Sequence, residues 1–105
     1  MKKSYLVLQA LFLLFFVQGI LGQEVAITGT VTAEDGIPLP GASIVLKGTS
    51  TGGVSDFDGN FSLRVNNAAG KVLTVSYLGY KTREITLQGG DQTLEVVLAE
   101  DSNAL

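Results

Sequence analysis

Apolar and polar side chains alternate with a period of two along most of the chain after Gln23. Val25, Ile27 and Val31 alternate with Thr28, Thr30 and Thr32, with Gly29 interrupting the apolar face. Ile44 and Leu46 alternate with Ser43 and Lys47, and Phe61, Leu63 and Val65 with Asn60, Ser62 and Arg64. Leu73, Val75 and Tyr77 alternate with Thr74 and Ser76, Ile85 and Leu87 with Glu84 and Thr86, and Leu94, Val96 and Leu98 with Thr93 and Glu95. Successive strand side chains point to opposite faces, so each run predicts a strand with one buried face. No stretch after Gln23 carries apolar residues at 3.6 spacing over a helix length. Turn residues separate the runs: Glu34-Asp35-Gly36 ahead of Pro38, Pro40-Gly41, Gly52-Gly53, Asp58-Gly59-Asn60, Asn66-Asn67 before Gly70, Gly79, and Gly89-Gly90. Gly and Asn accept positive φ, and Pro fixes φ while lacking a ladder donor. Six clear strands, with a seventh candidate near Thr51 to Ser55, predict an all-β, antiparallel two-sheet sandwich. Each inward apolar side chain is worth ~1.5–3 kcal/mol when fully buried, which makes independent folding plausible without a wide margin.

The first 22 residues break this pattern. Lys2 and Lys3 precede an apolar run from Leu6 to Leu21, interrupted by Gln9, Gln18 and Gly19. A positive start, an apolar run and a small residue at its end describe a cleavable secretory signal peptide. The run is short of the ~20 residues that span a bilayer. Cleavage is expected after Gly22, leaving Gln23 as the new N-terminus, although Ile20 is larger than the ideal residue at its position. The expected organisation is a signal peptide over 1–22, a sandwich over 23–99 and a linker over 100–105.

Composition narrows the chemistry. The chain has 105 residues, 7 basic and 10 acidic, a formal charge of -3, no Cys and no His. Disulfides, thiolate metal sites and Cys nucleophiles are excluded, and a Ser-His-Asp triad cannot be built. The acidic balance argues against a nucleic-acid partner. Loss of the leader removes Lys2 and Lys3 and no carboxylate, so the exported remainder is more acidic still.

Several segments carry the marks of a family. Thr28-Gly29-Thr30-Val31, followed by Asp35-Gly36-Ile37-Pro38-Leu39-Pro40-Gly41-Ala42-Ser43-Ile44, resembles the opening of the carboxypeptidase-D regulatory-like domain. Lys47-Gly48-Thr49 resembles the segment that follows it. Ser55-Asp56-Phe57-Asp58-Gly59-Asn60-Phe61 is similar to the family's Thr-Asp-x-Asp-Gly-x-Phe, with Ser in place of Thr. Leu73-Thr74-Val75-Ser76-Tyr77-Leu78-Gly79-Tyr80 resembles a later strand. The match runs from about Val25 to Leu98 in the family's order. The resemblance implies a seven-stranded, transthyretin-like (prealbumin-like) β-sandwich.

With the leader, it also resembles the front of SusC/RagA-type TonB-linked outer-membrane receptors. There the domain is a non-catalytic periplasmic extension ahead of a TonB box, a plug and a β-barrel that imports glycans or peptides. The implied partners are that plug and barrel, the TonB energising machinery and a surface lipoprotein. Leu98 to Leu105 resembles the lead into the TonB box, without its run of valines. Plug and barrel are not among these residues, so import is not expected to reside in them. The alternative is a free-standing secreted module that binds glycan or protein surfaces.

The individual candidate sites mostly have plain structural explanations. Asp56, Asp58 and Asn60 resemble the start of a calcium loop. Such a loop needs Gly at its sixth position and Glu at its twelfth, where this chain has Phe61 and Asn67. A turn in which Asp56 accepts nearby backbone N–H groups is the favoured reading. Pro38 to Gly41 reads as a rigid turn between the first two strands rather than as a binding loop for a partner. Tyr77 is expected on the inward face, and Tyr80 partly exposed, rather than as a sugar-stacking platform. Lys81 and Arg83 beside Glu84 read as a charged edge that discourages strand pairing. Glu34-Asp35 lies in a turn without a partner acid or base. No catalytic, cofactor-binding or metal-binding residue is assigned, no cofactor is implied, and an enzyme is not expected.

Overall fold

The computed structural model describes residues 24–102; the expected leader lies outside them. Seven strands form: β1 (Glu24–Ala33), β2 (Ser43–Leu46), β3 (Gly52–Val54), β4 (Asn60–Asn66), β5 (Val72–Ser76), β6 (Arg83–Thr86) and β7 (Gln92–Leu98). They make two sheets, ordered β4-β1-β7 and β3-β2-β5-β6. The alternation reading is met, including the short seventh strand near Thr51 to Ser55. Four ladders are antiparallel, while β1 and β7 run parallel, with Ile27 opposite Gln92 and Ala33 opposite Leu98. Period-two patterning sets which face is buried and carries no direction, so this ladder could not be read from it. Side chains reinforce the parallel pair. The Thr28 and Thr93 hydroxyls lie 3.2 Å apart, and the Ala26 amide donates to Asp91 Oδ1 at 2.8 Å.

The apolar faces meet between the sheets. Ile27, Val31, Ile44, Val65, Leu73, Val75, Val96 and Leu98 are fully buried, and Leu46, Phe61, Leu63 and Leu87 nearly so. Val25, Tyr77, Ile85 and Leu94 pack against this core from partly exposed positions. β4 shows the pattern most cleanly, since Phe61, Leu63 and Val65 are buried while Asn60, Ser62, Arg64 and Asn66 are exposed. Among the described residues, every buried side-chain nitrogen and oxygen has a hydrogen-bond partner.

Gly29 interrupts the apolar face of β1 for a packing reason. It sits opposite Phe61 across the β1–β4 ladder. A β-carbon here would lie within 2.8 Å of the Phe61 ring and closer still to the Leu94 carbonyl oxygen. The ring fills the space a side chain would have taken, as aromatics over strand glycines do.

The edge where β7 faces β6 is partly closed. Arg83 Nη1 donates to the Val97 carbonyl at 3.2 Å. Past β7, the Lys81 amide donates to the Ala99 carbonyl at 2.8 Å and the Asp101 amide to the Gly79 carbonyl at 3.0 Å. Tyr80 and Glu100 form the bridge between them. Backbone pairing therefore carries the folded body through Asp101, into the stretch read as linker.

Candidate functional site

The sandwich has two dissimilar ends. At one, called the Asn67 end, lie the turns 47–51, 66–71 and 87–91. They are built mostly from Gly, Ser, Thr, Asn and Gln with Lys47, Lys71 and Asp91, and their apolar residues are Ala69 and the buried Ala68 and Leu87. Asn67 there adopts φ 53°. At the other, the Tyr80 end, lie the loops 34–42, 55–59 and 77–82, with the segment that leaves β7. Most of the motif residues and candidate sites gather here.

Two of these loops are tied together by one buried serine. Ser55 Oγ donates to the Leu39 carbonyl at 2.6 Å and accepts from the Ala42 amide at 2.8 Å. The main chain adds Gly41 N to Ser55 O at 2.9 Å and Ser55 N to Ala42 O at 3.0 Å. Ser55 is the buried polar residue of the described chain. A hydroxyl both donates and accepts, so Ser, like Thr, satisfies both backbone groups. The sequence placed Ser55 as the first letter of a motif and the end of the seventh strand candidate, not as a link between loops. Its role depends on a chain crossing from residue 39, which local pattern cannot show.

The next turn is the one expected. Asp56 Oδ1 accepts from the Asp58 amide at 3.0 Å and the Asn60 amide at 2.9 Å. The carboxylate is thus occupied in shaping its own loop. Among the described residues, no three carboxylates converge on one point. Gly59 closes the turn at φ +80°, and a β-carbon there would lie 2.5 Å from the Val31 carbonyl oxygen. Its own carbonyl accepts from the Val31 amide at 2.7 Å. Pro38 pairs with Thr32 in an isolated bridge, and the Asp35 carboxylate accepts from the Ile37 amide at 3.1 Å. Pro38 to Gly41 is therefore anchored on both sides, as a rigid turn should be.

The tyrosines pack on each other. Their ring centroids are 5.6 Å apart and the planes meet at 64°, an edge-to-face pair. Both are half-buried against the core. The pair offers no flat double face to a sugar ring. On β6, an edge strand, Glu84 pairs with Lys47 at 2.9 Å and Arg83 covers the β7 edge, so these charges sit where edge protection needs them.

Sequence reasoning missed the exposed apolar tips. Phe57 and Leu78 are each 93% exposed and Ile37 60%. Val54 and Val97, the other exposed large hydrophobics of the described chain, stand near the same end, at the last residue of β3 and one residue before the end of β7. One signal was available: Phe57 lies between two aspartates inside a turn, and Leu78 directly precedes Gly79. Two shallow depressions join the loops. One, of about 430 Å³, is lined by Pro40, Gly41, Ser55, Asp56 and Phe57. The other, of about 240 Å³, lies between the 34–35 turn, Tyr80, Leu98 and Glu100.

The model of the CarboxypepD_reg-like domain matches residues 27–105, which hold nearly all of this two-sheet frame. The chain belongs to this family. Relatives are TonB-dependent receptors. The chain is 43% identical over 96 residues to TonB-dependent receptor P3 of Formosa agariphila, a match covering 90% of this chain and 9% of the receptor. It is 33% identical over 109 residues to TonB-dependent receptor SusC of Bacteroides thetaiotaomicron, covering all of this chain and 10% of SusC. The chain thus spans about a tenth of the length of the curated receptors it matches. Solved structures share the fold alone. A type II cohesin–X-dockerin complex from Acetivibrio cellulolyticus aligns at TM-score 0.65 and 18% identity, over 77% of this chain and 61% of that one. A Bacteroides fragilis protein of unknown function aligns at TM-score 0.57 and 24% identity, over 78% and 30%.

Proposed function

We propose that this chain is the exported, non-catalytic N-terminal extension of a TonB-dependent outer-membrane receptor of the SusC/RagA type. The observation that carries the reading is the match of the entire chain to about a tenth of SusC. In this reading residues 1–22 are removed on export and the sandwich stands in the periplasm ahead of the TonB box, plug and barrel. Its work is protein contact. The absence of His and Cys from the sequence, and an Asp56 carboxylate taken up by its own turn, fit a role without chemistry. The sandwich is a firm body, and the chain leaves it at the Tyr80 end after Asp101. Such a unit regulates how the energising machinery reaches the TonB box, and through it the import of a glycan or peptide.

The test is removal of residues 24–102 from the full receptor, with the leader retained. Uptake of the receptor's substrate should change while the barrel reaches the outer membrane at its usual level. Unchanged uptake would overturn the regulatory reading. Detection of the sandwich by antibody only in a small soluble exported protein would overturn the receptor assignment.

A further inference from the structure

The two ends of the sandwich differ in a way that folding does not require. Ile37, Phe57 and Leu78 project from three separate loops at the Tyr80 end. None is placed there by the alternation of a strand, and none contributes to the core. Large apolar side chains exposed to this degree on neighbouring loops are a mark of an interaction surface. The turns of the Asn67 end expose no large apolar side chain.

Charge is divided the same way. Glu34, Asp35, Asp56, Asp58 and Glu100 are all exposed on the loops of the Tyr80 end, against Lys81 in the 77–82 loop and Arg83 at the start of β6, which caps the Val97 carbonyl. Each depression joins two loops, and the 34–42 loop borders both. The first joins the Pro40–Gly41 turn to Phe57, and the second joins the Glu34–Asp35 turn to Tyr80 and Glu100. Apolar tips are thus set among carboxylates across the whole end.

We infer that the Tyr80 end docks a separate protein whose contact surface is basic and holds apolar recesses for Phe57 and Leu78. The occupant follows from charge complementarity. A second copy would bring the same carboxylates face to face, and an anionic lipid surface would repel them. A basic protein surface is attracted from a distance and then receives the apolar side chains, which supply the contact energy. This inference deepens the reading of the domain as a protein-contact unit and rests on it.

The experiment uses the full-length protein in its own cells. A photo-crosslinking amino acid replaces Phe57, Leu78 or, as a control at the Asn67 end, Thr49. Positions 57 and 78 should give at least ten-fold more product with another polypeptide than position 49 does. The crosslinked peptide of that partner should contain Lys or Arg beside apolar residues. The combined change Glu34→Lys, Asp58→Lys and Glu100→Lys should cut the yield at position 57 by five-fold or more. Unaltered protease resistance of the sandwich would show that the fold survives. Raising salt should lower the yield in the unchanged protein. Equal yields at 57, 78 and 49, or a yield indifferent to charge reversal, would overturn the inference. So would crosslinks only to a second copy, to lipid or to another part of the same chain. The deletion experiment reads independently: altered uptake with no crosslink would sink this surface and leave the receptor role standing.

Discussion

Replacing Ser55 by Ala tests whether the Tyr80 end depends on one hydroxyl. The substitution removes the donor to the Leu39 carbonyl and the acceptor for the Ala42 amide. It leaves the two main-chain bonds between Ser55 and residues 41 and 42 in place. The site is buried, so water does not freely replace the lost partner. Stranding a buried polar group costs about 1–3 kcal/mol, so two together should cost about 2–4 kcal/mol. For a domain of this size each kcal/mol moves Tm by about 4–8 °C, so the expected fall is about 8–32 °C. Thermal unfolding followed by circular dichroism of the segment from Gln23 onward reads this directly. Hydrogen exchange supplies the local check, with the Ala42 amide losing protection. Ser55→Thr keeps the hydroxyl and both of its bonds, adds one methyl group, and should cost less than Ser55→Ala. A Ser55→Ala shift below about 3 °C, or equal losses for Ala and Thr, would refute the claim that the hydroxyl holds these loops together.

Four further outcomes are expected. Gly29→Ala should destabilise by about 2–4 kcal/mol in denaturant titration, since the new methyl meets the Phe61 ring and the Leu94 carbonyl. Adding Phe61→Leu should restore only part of that loss, because the carbonyl contact remains. Gly59→Ala combines positive φ with a close approach to the Val31 carbonyl and should lower Tm more than Gly70→Ala, whose site is open. Asp56→Ala should cost about 1 kcal/mol through its two amide bonds, and millimolar calcium should move the Tm of neither protein. Lys47→Ala should change stability by less than about 0.5 kcal/mol, because its pair with Glu84 is exposed to solvent.

The strands were legible because a half-buried strand must alternate, and the strands that carry most of this core do so. Phe61, Leu63 and Val65 could be placed inward from spacing alone, as could Leu73 and Val75. The Asp58-Gly59-Asn60 turn was legible for a similar reason, since its geometry is decided by a few neighbouring residues. Buried residues outside the alternation were not legible. Leu39, Ala42 and Ala68 lie in loops, and their burial depends on what covers them.

The candidate site divides along the same line. That Asp56 would serve a turn followed from its neighbours. That Ser55 would join two loops did not, because its partners lie at residues 39 and 42. The sequence by itself determined the strands, their buried faces, most turns, the family resemblance and the exclusion of His and Cys chemistry. These depend on local backbone preference, side-chain period and residue identity. Only the tertiary structure decided that β7 runs parallel to β1, that Phe61 occupies the space above Gly29, and that Ile37, Phe57 and Leu78 emerge at one end. Each of these depends on where distant segments meet, and period-two alternation encodes which side of a strand is buried without encoding which strand lies beside it.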